Sequence, residues 1–173
     1  MIKFSKRNEK YACFSNFYPC DLVFNNMHFK NSEAAWQSLK TLDENERLSF
    51  QNLGPSEAKK KGRHVQLRKD WELVKYKFMV AVCLAKFRQN PELGEILLGT
   101  GDEEILEDTT GWHDNIWGHC ECPKCKDKSY TNLLGKALME ARDFLKTMEA
   151  TGKDWRSWRV DSEENERDRE ERE

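Results

Sequence analysis

Glu33, Gln37 and Lys40 stand at i, i+4 and i+7, so on a helix they share one stripe. A carboxylate in the first turn of a helix meets the positive end of the macrodipole, which favours its ionised form, and a nearby lysine adds to that. An ionised carboxylate beside a sugar can activate water or stabilise an oxocarbenium ion. Lys40 offers a second chemistry. If it is partly buried, its amine has a lowered pKa and can form a Schiff base with the aldehyde of an opened ribose. The plain alternative is a solvated Glu/Gln/Lys face.

Four other clusters could serve such a centre. Cys13-Phe14-Ser15-Asn16-Phe17-Tyr18-Pro19 interleaves three aromatics with short polar groups. It offers ring faces to a base and hydrogen bonds to a sugar, or else is a loop pinned to the core. Asp114-Asn115-Ile116-Trp117-Gly118 pairs a carboxylate with a stacking platform, or is simply a turn. Asn132-Leu133-Leu134-Gly135 opens the last helix, where free N–H groups attract phosphate. Gly135 there costs about 1 kcal/mol against Ala, which close approach of a ligand or a backbone would explain. Lastly, Cys122-Pro-Lys-Cys125 has the two-residue gap of a zinc knuckle, with Cys120, His119 or His113 as completing ligands. The chain holds no second CxxC, so free thiols in a reducing compartment compete with zinc, and no metal or cofactor is assigned.

These residues need elements to hold them. Leu22-Val23-Phe24, Asn25-Asn26 and Met27-His28-Phe29 read as a hairpin with a tight turn. Ser32 is placed to cap a helix from Glu33 to about Leu42, and Trp36 lies on that helix. A second helix is expected over Glu44–Leu53 and a third over Pro55–Lys61, closed by Gly62. Asp70 is placed to cap the longest helix, Trp71 to Gln89, whose apolar positions Trp71, Val74, Phe78, Ala81 and Ala85 recur at three and four. Asn90-Pro91 starts a short helix ending near Gly99, and Ile105-Leu106 suits a short strand. The irregular stretch from Thr109 to Thr131 is too long for an idle connection. A last amphipathic helix runs from about Leu133 to Met148. The sum is an α+β fold: a mainly helical single domain, residues 1–150, with a small antiparallel sheet. Fraying and disorder are expected after Gly152, giving a charged tail over 151–173.

From Asp161 to Glu173 eight acids and three arginines give the tail −5; the whole is −2, which leaves +3 on residues 1–160 of the 173. That mild positive charge can receive a phosphorylated ligand but is too sparse for non-specific duplex binding. With no stretch of 18 apolar residues and no apolar leader, the expected place is the cytoplasm, away from membranes.

In order along the chain, Phe14-Ser-Asn-Phe17, Ser32-Glu33 with Gln37 and Lys40, Asp70-Trp71-Glu72, and Ala85-Lys86-Phe87 with Pro91-Glu92-Leu93 form a series. It continues through Leu97-Leu98, Thr100-Gly101-Asp102, Glu107, Asp114 with Trp117-Gly118, Asn132-Leu-Leu-Gly135, and Leu138-Met139 with Arg142. From about Phe14 to Arg142 the chain thereby resembles the NADAR family, which includes the YbiA-like N-glycosidases. The resemblance implies an α+β, largely helical fold and hydrolysis of an N-glycosidic bond. Such members act on phosphoribosylamino-pyrimidine intermediates of riboflavin synthesis, releasing ribose 5-phosphate; others remove ADP-ribose from guanine in nucleic acid. Carried to matching positions, it implies active-site roles for Glu33, Trp71, Asp114 and Trp117.

The expected site therefore has Glu33, Asp114 and Lys40 as its chemical groups. Phe14, Ser15, Asn16, Phe17, Trp36, Trp71, Trp117, Gly118, Asn132 and Gly135 are expected to bind the ribosylated substrate. A phosphate would fall near the Asn132–Gly135 helix start or a basic side chain such as Arg63 or Arg68. Two rivals use the same residues: a pocket that holds ADP-ribose or a nucleotide without cutting it, and a zinc-stabilised nucleic-acid adaptor built on Cys120–Cys125.

Overall fold

Asn25 and Asn26 both adopt positive φ, 52° and 59°, and so make the tight turn between β2 (Pro19–Phe24) and β3 (Met27–Asn31). The two strands pair antiparallel, Leu22 opposite Phe29 and Phe24 opposite Met27, with a register shift between Pro19 and Leu22. The computed structural model describes residues 1–157 of the chain. A second pair joins the expected hairpin: β1 (Ile2–Phe4) runs parallel to β4 (Ile105–Glu107), Ile2 opposite Ile105 and Phe4 opposite Glu107. Nothing local marks this pairing, because its two halves lie a hundred residues apart.

Around these strands pack α1 (Ser32–Ser38), α2 (Glu44–Leu48), α3 (Pro55–Gly62), α4 (Trp71–Gln89), α5 (Pro91–Leu98) and α6 (Leu133–Ala150). The mainly helical α+β domain is as expected. Two caps differ from the sequence reading. Asn31, not Ser32, caps α1, its Oδ1 accepting from the Ala34 N–H at 2.7 Å. Ser32 already lies in the first turn, and its hydroxyl donates to Asn16 Oδ1 at 2.9 Å. Asp70 precedes α4 but makes no cap bond, because Arg68 takes its carboxylate through Nε at 2.6 Å and Nη2 at 3.1 Å.

The core side of α4 is Met79, Val82, Cys83, Lys86 and Phe87, all buried, while Val74, Phe78 and Ala85 are only partly buried. Lys86 conceals this face in the sequence. Its stem packs in the core, and its ammonium donates to the Ser15 carbonyl at 3.0 Å, with burial pulling the amine below its ordinary range. On α6 the buried row is Leu134, Leu138, Ala141 and Leu145. The domain also runs past its expected end at residue 150. Trp155, in a 3₁₀ turn from Trp155 to Ser157, is fully buried, and its Nε1–H donates to Glu149. An indole buries enough apolar surface to order the segment that the charge pattern marks as frayed. The rest of the expected disordered tail, 158–173, lies outside the described residues.

Asn132 joins the two halves. It sits in the left-handed region (φ 50°), and its amide donates to Ile105 O at 2.9 Å while its Oδ1 accepts from the Glu107 N–H. α6 thus begins pressed against β4. A Cβ on Gly135 would fall 2.1 Å from the Ile105 carbonyl oxygen. Because backbone cannot swing aside, Gly135→Ala should cost about 1–3 kcal/mol, read as a lower urea midpoint with unchanged slope.

Candidate active site

A cavity of about 840 Å³ lies among the Ser15–Phe17 loop, α1, α3, β4 and the segment from Asp108 to Trp117. Glu33, buried in the first turn of α1, lines it. The loop and the helix hold each other. The Glu33 N–H, an unpaired donor of the helix start, donates to Asn16 O at 3.1 Å, and Ser32 bonds the Asn16 side chain. Gln37, one turn on, donates through Nε2 to Glu33 Oε1 at 2.8 Å. Burial pushes the Glu33 carboxyl above the usual range, while the Gln37 hydrogen bond and the charges of Lys59 and Lys40 pull it back.

Lys40 is half-buried, its ammonium 5.3 Å from the Trp36 ring centre and 5.8 Å from that of Trp71. Burial draws its amine below the ordinary lysine value, Glu33 opposes that, and Arg63 and Lys59 add to it. The partial burial demanded by Schiff-base chemistry is therefore present.

One wall is aromatic. Trp36 meets Trp117 edge-on with ring centres 5.0 Å apart, and Trp71 packs behind Trp36 at the same separation. The Trp36 indole N–H is fixed on Lys75 O at 3.1 Å. Three distant parts of the chain thus meet at one tryptophan.

Glu33, Asp114 and Trp117 share this cavity, joined by Ser15, Asn16, Phe17, Trp36 and Lys40. Asp114 Oδ1 accepts from the Ile116 and Trp117 N–H groups at 2.8 and 2.9 Å. The turn and the site are therefore served by one carboxylate. Five expected binding residues do not line the cavity. Phe14 is fully buried between Phe4, Tyr11 and Phe87, and Trp71 is shielded by Trp36. Gly118 packs where a Cβ would lie 2.6 Å from Glu107 O, and Asn132 and Gly135 join α6 to β4. The start of α6 therefore meets protein backbone where phosphate was expected. Arg63 lines the cavity, but Arg68 does not: beyond its pair with Asp70, its backbone N–H donates to Lys40 O at 2.7 Å.

The structure adds Glu107, Lys59 and Trp112. Glu107 appears in the sequence motifs only as an acid after two apolar strand residues. Its surroundings give it weight: burial, then the charges of Asp114 and Glu33, push its carboxyl up to about 8. Lys59 sits in a run of three lysines whose inward member depends on how α3 packs. Trp112 is partly exposed at the rim. Among groups able to hold a metal, His113, Cys120, Cys122 and Cys125 converge outside the residues lining the cavity. Among the described residues no helix is long and apolar enough to cross a membrane.

The raised Glu107 pKa has a stability consequence with a definite sign. Between about 4.5, where the carboxyl titrates when unfolded, and about 8, the folded chain holds a proton that the unfolded chain releases. Stability from this group is thus fully present below that window and lost as pH rises through it. Glu107→Gln has no such loss, so its melting temperature relative to the parent should climb from pH 5 to pH 8 and then level off, as followed by circular dichroism.

The NADAR domain model matches residues 3–146. The N-glycosidase Npun_R5314 of Nostoc punctiforme is 33% identical over 153 residues, covering 85% of this chain and 94% of that protein. The N-glycosidase YbiA of Escherichia coli K12 is 34% identical over 148 residues, covering 84% and 88%. The NMR structure of E. coli YbiA superposes with a TM-score of 0.72 over 86% of each chain at 34% identity. A riboflavin biosynthesis protein of Vibrio vulnificus, VVA0006, is 31% identical over 149 residues, which span 83% of this chain and 38% of that protein. With a family model covering most of its length and a fold shared with a relative of that identity, the chain belongs to the NADAR domain family.

Proposed function

We propose that this protein is an N-glycosidase that hydrolyses the bond between a ribose and a nitrogen base, with the anomeric carbon lying between Glu33 and Glu107. The observation that carries this reading is the pair of shielded carboxyl groups that line one cavity together with Trp36 and Trp117. Their environments differ, and such a difference divides acid from base. Glu107, pushed up to about 8, holds a proton at neutral pH and can give it to the departing nitrogen as the C–N electron pair leaves with the base. Glu33, which burial raises and Gln37, Lys59 and Lys40 pull back, acts in its ionised form to stabilise the oxocarbenium ion and take the proton of the attacking water. The base stacks on Trp36 or Trp117. Ser15 and Asn16 face the sugar, while Asp114 orders the Trp117 turn and adds its charge to the burial that raises Glu107.

The cavity size suits a nucleotide-sized ligand. Lys6, Arg7, Lys40, Lys59 and Arg63 line it and give a phosphate several cations to choose from. This supports a phosphoribosylamino-pyrimidine as substrate, which the name of the Vibrio relative also favours. The exposed Trp112 at the rim supports a second substrate, ADP-ribosylated guanine, whose extra nucleotide needs a platform outside the cavity. Free thiols and the absence of a membrane-crossing helix among the described residues fit work in the cytoplasm.

Incubation with each substrate separately, followed by mass spectrometry, should detect free base from at least one. Tight binding of both without release would leave a non-catalytic nucleotide pocket. Glu33→Gln should lower kcat by at least about a hundredfold while still binding ligand. A near-normal rate would take Glu33 out of the centre.

Half-buried Lys40, its amine drawn below the ordinary range by burial, supports a variant of the chemistry in which the ring-opened substrate, an imine between C1 and the base nitrogen, is attacked by the Lys40 amine; the base leaves as its free amine, and water then hydrolyses the Lys40–C1 imine to release ribose. Borohydride added during turnover should then leave a reduced ribosyl adduct on Lys40. An unmodified Lys40 peptide under those conditions returns the chemistry to the two carboxylates.

A further inference from the structure

We infer that His113, Cys120, Cys122 and Cys125 form a closed, structural zinc site. The four ligand atoms all lie within 4.8 Å of one another. His113 Nδ1 is 3.4 Å from Cys120 Sγ, 3.3 Å from Cys122 Sγ and 3.7 Å from Cys125 Sγ. A tetrahedral zinc with Zn–S of about 2.3 Å and Zn–N of about 2.0–2.1 Å has nitrogen-to-sulfur edges of roughly 3.5 Å. The observed edges bracket that value.

Hydrogen bonding does not account for the cluster. An imidazole Nδ1 has one lone pair or one hydrogen, so it cannot serve three sulfurs at once. Disulfide pairing does not either, since all three cysteines are free. A single cation at the centre satisfies every member together. Three thiolates and an imidazole are a soft, tetrahedral set that suits zinc, and four protein ligands leave no position for water, so the metal would be structural.

The surrounding chain is shaped for this set. His113 takes a positive φ of 59°, a conformation uncommon outside glycine, and it turns the ring toward the cysteines. The Cys120 N–H is held by Asn115 Oδ1 at 2.8 Å, and the Cys125 N–H donates to Cys122 O at 2.9 Å. The sequence alone leaves the histidine open between His113 and His119. The structure separates them: the His119 ring stacks on Tyr130 with centres 3.9 Å apart, and it takes no part in the cluster.

The site sits on the irregular segment that supplies the cavity. Trp112 and Asp114 flank His113 and line the cavity, while Asn115, which holds Cys120, also accepts the Thr131 N–H at 2.9 Å. Zinc would thus lock a stretch with little secondary structure of its own, whatever substrate the cavity takes.

The full chain, purified under reducing, metal-free conditions without a histidine tag, should be titrated with cobalt chloride and then zinc chloride. The expected result is one cobalt per chain, with the strong visible bands of a tetrahedral centre and a sulfur-to-cobalt charge-transfer band. Zinc should erase both and release thiol protons. His113→Ala should weaken zinc binding by more than about tenfold, and His119→Ala should leave it unchanged. A weak octahedral cobalt spectrum on the parent chain would overturn the proposal whether or not the variants fold. So would a Cys–Cys bond under reducing conditions, or loss of the bands in His119→Ala but not in His113→Ala. The metal readout does not depend on catalysis, so a failed glycosidase assay leaves it intact.

Discussion

The cost of hiding the Glu33 carboxyl from water is the constraint around which the rest of the molecule is arranged. Burial raises the Glu33 carboxyl, whereas the role proposed for it, stabilising a cation and taking a proton from water, needs the ionised form. The chain answers with groups drawn from four places: the dipole at the head of α1, the Gln37 amide one turn later, Lys40 beyond the end of that helix, and Lys59 on α3. Each is useful only if α1 and α3 keep their separation and the Asn16 loop stays fastened over the helix start. The buried Lys86 serves that end indirectly, because its bond to the Ser15 carbonyl fixes the loop from below.

The second carboxyl, on Glu107, shows the opposite treatment. Burial first, and then the charges of Asp114, Glu33 and Asp108, push it up to about 8, with the charge of Lys59 pulling it back. Its backbone is held from three sides: β1 pairs with it, Asn132 accepts its N–H, and His119 donates its own N–H to the Glu107 carbonyl. Burial raises both acids, and they differ in the charged neighbours that oppose or add to that rise.

What could be read from the sequence follows from how local each signal is. The hairpin turn, the starts of α3 and α5 at proline and the apolar row of α6 are written in adjacent residues, and they hold. Glu33, Gln37 and Lys40 were visible because helical spacing puts them on one stripe. The misplacements share a cause. Asn132 and Gly135 look like an anion-binding helix start until β4 is seen lying against them, and Asp70 looks like a cap until Arg68 claims it. Glu107 and Lys59 meet Glu33 only in the folded chain, and the burial that sets their surroundings depends on how β4 and α3 pack. Trp155 escapes a compositional reading for a different reason: one buried indole in a charged stretch outweighs the composition around it.

The parallel pairing of β1 with β4 has a consequence for biosynthesis. β1 is made well before its partner, which begins only at Ile105, and the brace that holds that partner, Asn132, comes later still. Closing so long a loop is slow relative to winding the helices in between. Until translation has passed the head of α6, the helices between the two strands can wind, but the strand pair and the Asn132 bonds that hold the Glu107 backbone cannot be complete.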